Sequence, residues 1–275
     1  MKMNDKISLA GDLGSGKSTV SDILIERLGA KYYSTGKIVR GIAEKRGMTV
    51  TELNVYMETH PEIDHEIDDG LRALSTVDEL LIIDSRMAWH FTEGTFSVYL
   101  STDIETSALR IMNANRVGEH AATLEETVKE TRARRESEKK RYMTQYGVDI
   151  KDLMNYDLIV DTANSTPEVI AERILSSFEE WKEKGEYKRA FISPERLFYP
   201  DDEPMIDSVT GLSALLEMGI EIPAVKAVEK DGEFYITDGV ESALAYGFNF
   251  SEFVPVTLVR GEIDEKNYTN MKDRL

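Results

Sequence analysis

The sequence predicts an α/β fold, a parallel sheet with helices on both faces, followed by a smaller α+β domain. Three observations carry this. Through the first two-thirds of the chain, short β-type runs alternate with helix-length amphipathic segments, the pattern of a parallel α/β sheet. Four of these runs are nearly continuous in Ile, Leu, Val, Phe or Tyr, as strands covered on both faces are. Proline usage then changes, with two of the seven prolines before residue 190 and five after it.

In chain order the β-type runs are ISLA (7–10), KYYS (31–34), LLIID (80–84), FSVYLS (96–101) and DLIVDT (157–162). Helical patterns lie near 17–28, 36–46, 49–58, 62–75, 103–114, 124–146 and 167–183. The stretch 124–146 is polar all round and reads as a mobile surface helix. The pattern at 167–183 has Thr166 as its N-cap, Pro167 at the first helical position and Gly185 beyond its end, the start and stop signals of a complete helix. A domain boundary is therefore expected near 184–190, dividing the chain into 1–185 and 186–275. In the second part, AVKAVEKDGEFYITDG is two β-runs around Asp231–Gly232, a hairpin signal. Helices near 207–218 and 240–247 and a strand at VPVTLV complete its α+β pattern.

Charge and composition exclude several classes. With 51 acidic and 33 basic side chains among 275 residues, the net charge is −18. Nucleic acids and anionic membranes would meet a repulsive field, so neither is expected as a partner, and any anionic ligand needs a local positive pocket. The absence of cysteine removes disulfides, thiol catalysis and thiolate metal sites, and the four histidines show no zinc-type spacing. The start MKMNDKISLAG lacks a secretory pattern, and no segment reaches 18 apolar residues, so a soluble, cytoplasmic protein is expected.

Residues 11–18, GDLGSGKS, match G-x-x-x-x-G-K-[ST] directly after the run ISLA and directly before a helical pattern. That context is what a phosphate-binding P-loop requires. A triphosphate needs converging N–H donors, which glycine backbones and a helix N-terminus supply, and a cation that reaches the outer phosphates. Gly11, Gly14, Ser15, Gly16, Lys17, Ser18 and Thr19 are the candidate ATP-binding set. Lys17 is the catalytic cation and Ser18 a Mg²⁺ ligand. Asp12 sets a carboxylate in the loop, which weakens phosphate binding if it points inward. Asp84, at the end of LLIID, is either the second Mg²⁺ anchor or the start of a turn.

Positive charge is concentrated in RARRESEKKR (132–141), six basic and two acidic residues. Arg134, Glu138 and Arg141 share one helical face there, so both guanidinium groups can reach one phosphate chain, as lid arginines do in phosphoryl transfer. Arg40 and Arg86 follow strand ends and suit a bidentate grip on an acceptor phosphate, or form surface salt bridges. Asp64 and Asp68 share a helix face and are either general-base machinery or a solvated surface, and the second is expected because transfer to an ionised phosphate oxygen needs no general base.

Several blocks, in this order, resemble the archaeal-type cytidylate kinases of the P-loop nucleoside monophosphate kinase group: the P-loop, YYSTGKIVRGIAEKRGMTVTEL, HPEIDHEID, SRMAW and RRESEKKRYMTQYGVDIKDLMNYDLIVDT. The similarity runs over about residues 5–177. It implies a five-stranded parallel sheet, a monophosphate-binding helical region over 36–75, an arginine-bearing lid over about 115–146, and ATP with Mg²⁺ as donor pair. By the same resemblance Thr35, Arg40, Arg86 and Glu138 form the acceptor-binding set, and Arg86, Arg134 and Arg141 join Lys17 as catalytic residues. Arg110 and Arg116 are candidates for phosphate or adenine contacts. Two departures bear on the acceptor. The strand-end block reads Asp84–Ser85–Arg86 with Trp89–His90, and Met87 stands where bacterial relatives carry a base-reading aspartate. The part from 184 onward is faintly similar to ParB/sulfiredoxin-like domains through SPERL, the hairpin and VPVTLV. Its phosphate-gripping basic stretch is replaced by Asp238–Gly239–Val240–Glu241–Ser242, and with 10 basic and 18 acidic residues it carries −8. An adapter domain for a protein partner is the expectation there.

These readings converge on an ATP- and Mg²⁺-dependent kinase acting on a small phosphorylated acceptor, CMP or dCMP first. The alternatives are a small-metabolite kinase on the same scaffold and a nucleotide-sensing regulatory protein with a C-terminal interaction domain.

Overall fold

A computed structural model describes residues 5–57, 59–114, 123–201 and 204–275. The chain begins β1 (Lys6–Gly11), α1 (Lys17–Leu28), β2 (Lys31–Ser34), α2 (Thr35–Arg46), α3 (Val50–Met57) and α4 (Pro61–Ala73). It continues through β3 (Leu81–Asp84), α5 (Ala88–Phe91), β4 (Thr95–Ser101), α6 (Ile104–Asn113), α7 (Leu124–Tyr146), β5 (Leu158–Asp161) and α8 (Pro167–Lys184). Then follow β6 (Arg189–Ile192), β7 (Leu197–Pro200), α9 (Ile206–Glu217), β8 (Val225–Lys230), β9 (Glu233–Asp238), α10 (Val240–Phe248), β10 (Val254–Leu258) and β11 (Tyr268–Asn270).

The five strands expected from the β-type runs are parallel neighbours in the order β2-β3-β1-β4-β5. Their alternation sorts side chains to two faces. Ile7, Leu9, Phe96, Val98, Leu100, Leu158 and Val160 enter a core closed by α1 and α8. Ala10, Tyr99 and Ile159 face the other way, into a second core. Local signals start and stop the helices where the sequence places them. Ser34 caps α2 by accepting from the Lys37 N–H at 3.3 Å. Thr166 caps α8 at 3.4 Å, and Gly185 ends it in a left-handed conformation.

The second unit adds strands that the sequence pattern does not reveal, among them β6, β7 and β11. β6 pairs in parallel with β5, so all 11 strands form one sheet in the order β11-β7-β9-β8-β10-β6-β5-β4-β1-β3-β2. The cores also run through. Ala190, Ile192, Val225 and Phe234 share a cluster with Ala10, Tyr99 and Tyr156, while Tyr187, Phe191 and Phe253 join the α1/α8 side.

Polar contacts concentrate on the loop between β5 and α8. Asp161 accepts from the Arg196 Nη1 at 2.9 Å and from the Ser193 N–H at 3.2 Å, with both ion-pair side chains buried. Asn164 donates to Ser193 Oγ and to Glu195 Oε2, each at 2.9 Å, and Ser165 Oγ donates to Glu252 Oε2 at 3.1 Å. The second unit thus holds this loop through residues 193–196 and Glu252.

Candidate active site

The site is built at the carboxyl ends of β1 and β3. Gly11 ends β1 at φ 145, and its backbone lies so close to the Leu100 carbonyl that any Cβ would collide with it. Gly14 sits at φ 72, where a Cβ would come 2.5 Å from the Ser107 carbonyl oxygen of α6. The loop is therefore wedged between β4 and α6. The α1 N-terminus has no side-chain cap, its flanking residue being Gly16, so its first N–H groups stay open to a ligand. Lys17 Nζ donates to the carbonyls of Gly11 and Asp12, both at 2.9 Å, folding the lysine back over the loop. Burial and the nearby Arg86 charge push its pKa down to about 8, against the opposing pull of Asp84, Asp12 and Glu138.

Asp12 does not oppose a phosphate. Its carboxylate turns into the wall behind the loop, accepting from the Thr102 N–H and the Tyr99 hydroxyl, each at 3.0 Å, and pairing with Lys151. Arg135 Nη2 stands 3.7 Å away. Burial alone would raise this carboxyl, but Lys151 and then Arg135 outweigh it and hold the pKa below the usual range.

In front of the loop, a cleft of about 220 Å³ brings together Gly14, Ser15, Gly16, Lys17, Ser18 and Thr19 with Thr35, Arg40, Asp84, Arg86, Arg134, Glu138 and Arg141. Gly11 lies behind it, lining a small cavity with Asp12. Asp84 Oδ2 accepts from Tyr32 OH at 3.0 Å and from Ser34 Oγ at 3.4 Å, while Thr35 Oγ1 donates to the Asp84 carbonyl at 3.4 Å. Ser18 and Asp84 offer hard oxygen donors to one cleft, the set Mg²⁺ accepts when water and phosphate complete its shell. The remaining wall is α7. Arg86 Nε pairs with Glu138 Oε2 at 2.7 Å, and Arg134 Nε meets Glu138 Oε1 at 3.3 Å. Burial would raise the Glu138 carboxyl, but Arg86, then Arg134 and Arg141, hold it low. Arg141 donates to Asn54 Oδ1 at 3.3 Å and lies over the Tyr142 ring. Arg40 is exposed at the cleft rim and has no hydrogen bond or ion pair among the described residues.

Several expectations change. Asp64 and Asp68 are not a solvated face: each is 5% exposed, and both line the cleft under α7. Trp89 turns away from the cleft to pack on the core shared by the two units, its indole N–H bonded to the Arg86 carbonyl at 3.0 Å. Arg110 is spent on the loop after β5, donating to Thr162 Oγ1 at 3.1 Å and to the Ala163 carbonyl at 3.3 Å. Arg116 lies outside the described residues. Sequence reasoning missed Asn54, Tyr142 and Lys151. Only Lys151 had a usable signal, as the basic partner that a buried Asp12 demands.

The sequence model of the Cytidylate kinase-like family matches residues 6–164. A cytidylate kinase of Thermoplasma volcanium is 35% identical over 186 residues, covering 66% of this chain and 95% of that protein. An S-adenosylmethionine-dependent nucleotide dehydratase of Lacinutrix mariniflava is 35% identical over 178 residues, which are 64% of this chain and 36% of that longer protein. Among solved structures, shikimate kinase from Bacteroides thetaiotaomicron superposes with a TM-score of 0.45 at 15% identity, over 63% of this chain and 98% of its own.

Proposed function

The chain belongs to the cytidylate kinase-like family, and on that premise we propose that it transfers the γ-phosphoryl group of ATP to a nucleoside monophosphate, CMP or dCMP. The observation that carries this is the ring of cations around one cleft, with Lys17 on the loop, Arg86 and Arg40 across from it, and Arg134 and Arg141 on α7. Phosphoryl transfer is catalysed by positioning and charge stabilisation, and these are the parts it uses. The open N–H groups of α1 and the P-loop backbone hold the ATP phosphates, and Lys17 leaves its two carbonyl partners to reach the outer ones. Arg40 and Arg86 hold the acceptor phosphate, with Thr35 and Glu138 setting their positions. An acceptor phosphate oxygen then attacks the γ-phosphorus, the bond to the β–γ bridging oxygen breaks, and Arg134 and Arg141 offset the charge that spreads over the transferring group. Ser18 and Asp84 would hold Mg²⁺, which supplies charge neutralisation at the phosphates. Residues 1–185 carry this chemistry in the cytoplasm, and 186–275 serve as an adapter for a protein partner. The hold of the second unit on the β5–α8 loop favours one further reading, a nucleotide-sensing regulator whose P-loop unit reports occupancy to that adapter.

ADP release measured against a panel of nucleoside monophosphates and phosphorylated metabolites tests the proposal. Turnover is expected with CMP or dCMP, and a protein that binds ATP but consumes it with no monophosphate would overturn it. Arg40→Ala is expected to raise the acceptor KM by about 10- to 100-fold, the worth of one charge-assisted hydrogen bond, with ATP affinity near wild type. Collapse of ATP binding with unchanged acceptor kinetics would reverse the assignment of the two subsites. The depressed Lys17 pKa also sets a pH dependence. The ammonium is charged below about 8 and loses its proton above it, so kcat/KM for ATP, which reports the free enzyme, is expected to fall as pH rises through about 8. A flat profile between pH 7 and 9 would contradict this.

A further inference from the structure

We propose that Asp64 and Asp68 read the base of the acceptor nucleotide by accepting hydrogen bonds from the exocyclic amino group of cytosine. The inference rests on the nucleoside monophosphate reading of the cleft and adds a recognition element to it. On α4 the two carboxylates stand one turn apart on the same face, and both are 5% exposed. Buried carboxylates ordinarily have partners. Asp68 has one, the Tyr146 hydroxyl. Asp64 Oδ2 has none among the described residues, although it lines the cleft. Burial pushes both carboxyls up in pKa, opposed at Asp64 by the Arg141 charge and a Gln145 hydrogen bond and at Asp68 by the Tyr146 bond, while the charge of Asp64 adds to the rise at Asp68. An acceptor pair of this kind is completed by a donor arriving with the ligand.

Position along α7 separates this pair from the phosphate end. Glu138 meets Arg86 beside the P-loop, whereas Asp68 meets Tyr146, eight residues and about 12 Å further along the helix. Between them Arg141 reaches Asn54. A monophosphate anchored at Arg86 and Arg40 would extend its base toward α4. Asn54 and Tyr142, other polar side chains of the cleft, are engaged by Arg141, and Met87 is apolar and 3% exposed, which leaves the acidic pair as the reader. Ionised carboxylates only accept. Cytosine presents an amino donor where uracil presents a carbonyl acceptor, so a uracil carbonyl would face oxygen lone pairs in a dehydrated site. Sites built to bond an N–H reject analogues lacking it far more strongly than apolar pockets reject a size change.

Calorimetric binding of CMP and UMP, together with kcat/KM for each, is the test, on the wild type, Asp64→Asn and Asp68→Asn. The wild type is expected to prefer CMP by about 100-fold or more. Asp64→Asn, which keeps the size but brings an amide donor, is expected to lose most of that preference by weakening CMP and admitting UMP, with ATP affinity retained. Asp68→Asn is expected to do the same to a smaller degree, because the Tyr146 contact survives. Equal binding of CMP and UMP by the wild type, or an equal loss for both in Asp64→Asn, overturns the base-reading role. Selective CMP binding without phosphorylation of any monophosphate would support the base-reading role while sinking the kinase reading, so the two failures are distinguishable.

Discussion

Lys17→Ala is expected to lower ATP turnover by about 10²–10³-fold, the usual cost of removing one charged or polar group that stabilises a developing negative charge. Stability should change little, because Lys17 is half-buried at the first residue of α1 and its side-chain bonds are to two backbone carbonyls. Single-turnover kinetics with a thermal melt of the same sample check both halves. Wild-type turnover in a pure Lys17→Ala protein would remove the P-loop from the mechanism. A large fall in melting temperature would mean that the lysine holds the loop together instead.

The largest stability effect is expected at the loop after β5. Arg196→Met strips the partner from Asp161, whose side chain is 0% exposed, and breaking a buried pair in this way costs about 3–5 kcal/mol. The Asp161 carboxylate keeps the Ser193 and Ala163 N–H groups, yet these do not neutralise it. Urea unfolding measures the loss, and the double variant Arg196→Met/Asp161→Asn is expected to regain part of it, since the fully buried Asp161 charge is then gone. A loss below about 1 kcal/mol would place the pair among surface-type interactions. Residue 162 also accepts from Arg110, which in turn reaches the Gly14 carbonyl at 3.5 Å. A slackened loop is therefore expected to weaken ATP binding as well.

What could be read in the sequence was local. The P-loop announces itself within eight residues, the N-cap Thr166 and the terminating Gly185 by their places at the two ends of one helical pattern, and the Arg134/Glu138/Arg141 set within one helical face. What escaped depends on partners distant in the chain. Asp64 and Asp68 carry the spacing of any exposed acidic helix, and what buries them is α7, from residues around 141 to 146. Lys151 finds Asp12 across 139 positions. The strands β6, β7 and β11 have three or four residues each, too few to show a period of two, and unlike the equally short β3 and β5 they lack a continuous Ile/Leu/Val run. That β6 would choose the free edge of β5 is a decision of tertiary packing, made by Phe191 and Ile192 finding the two faces of an existing sheet.

That choice has a consequence in time. On the ribosome, β1 to β5 are complete while the 90 residues from 186 to 275 are still to be made, an interval on the order of 5–20 s at ordinary rates of synthesis. Until β6, at residues 189–192, is made and pairs with it, β5 offers an unpaired parallel edge, and until Val225 and Phe234 follow Ile192, Tyr99 and Tyr156 lack part of their apolar cover. An open edge beside an uncovered aromatic surface is a template for pairing with another chain. The nascent protein is thus most exposed to its neighbours after its nucleotide loop has formed, and the synthesis of residues 189–234 is what closes that window.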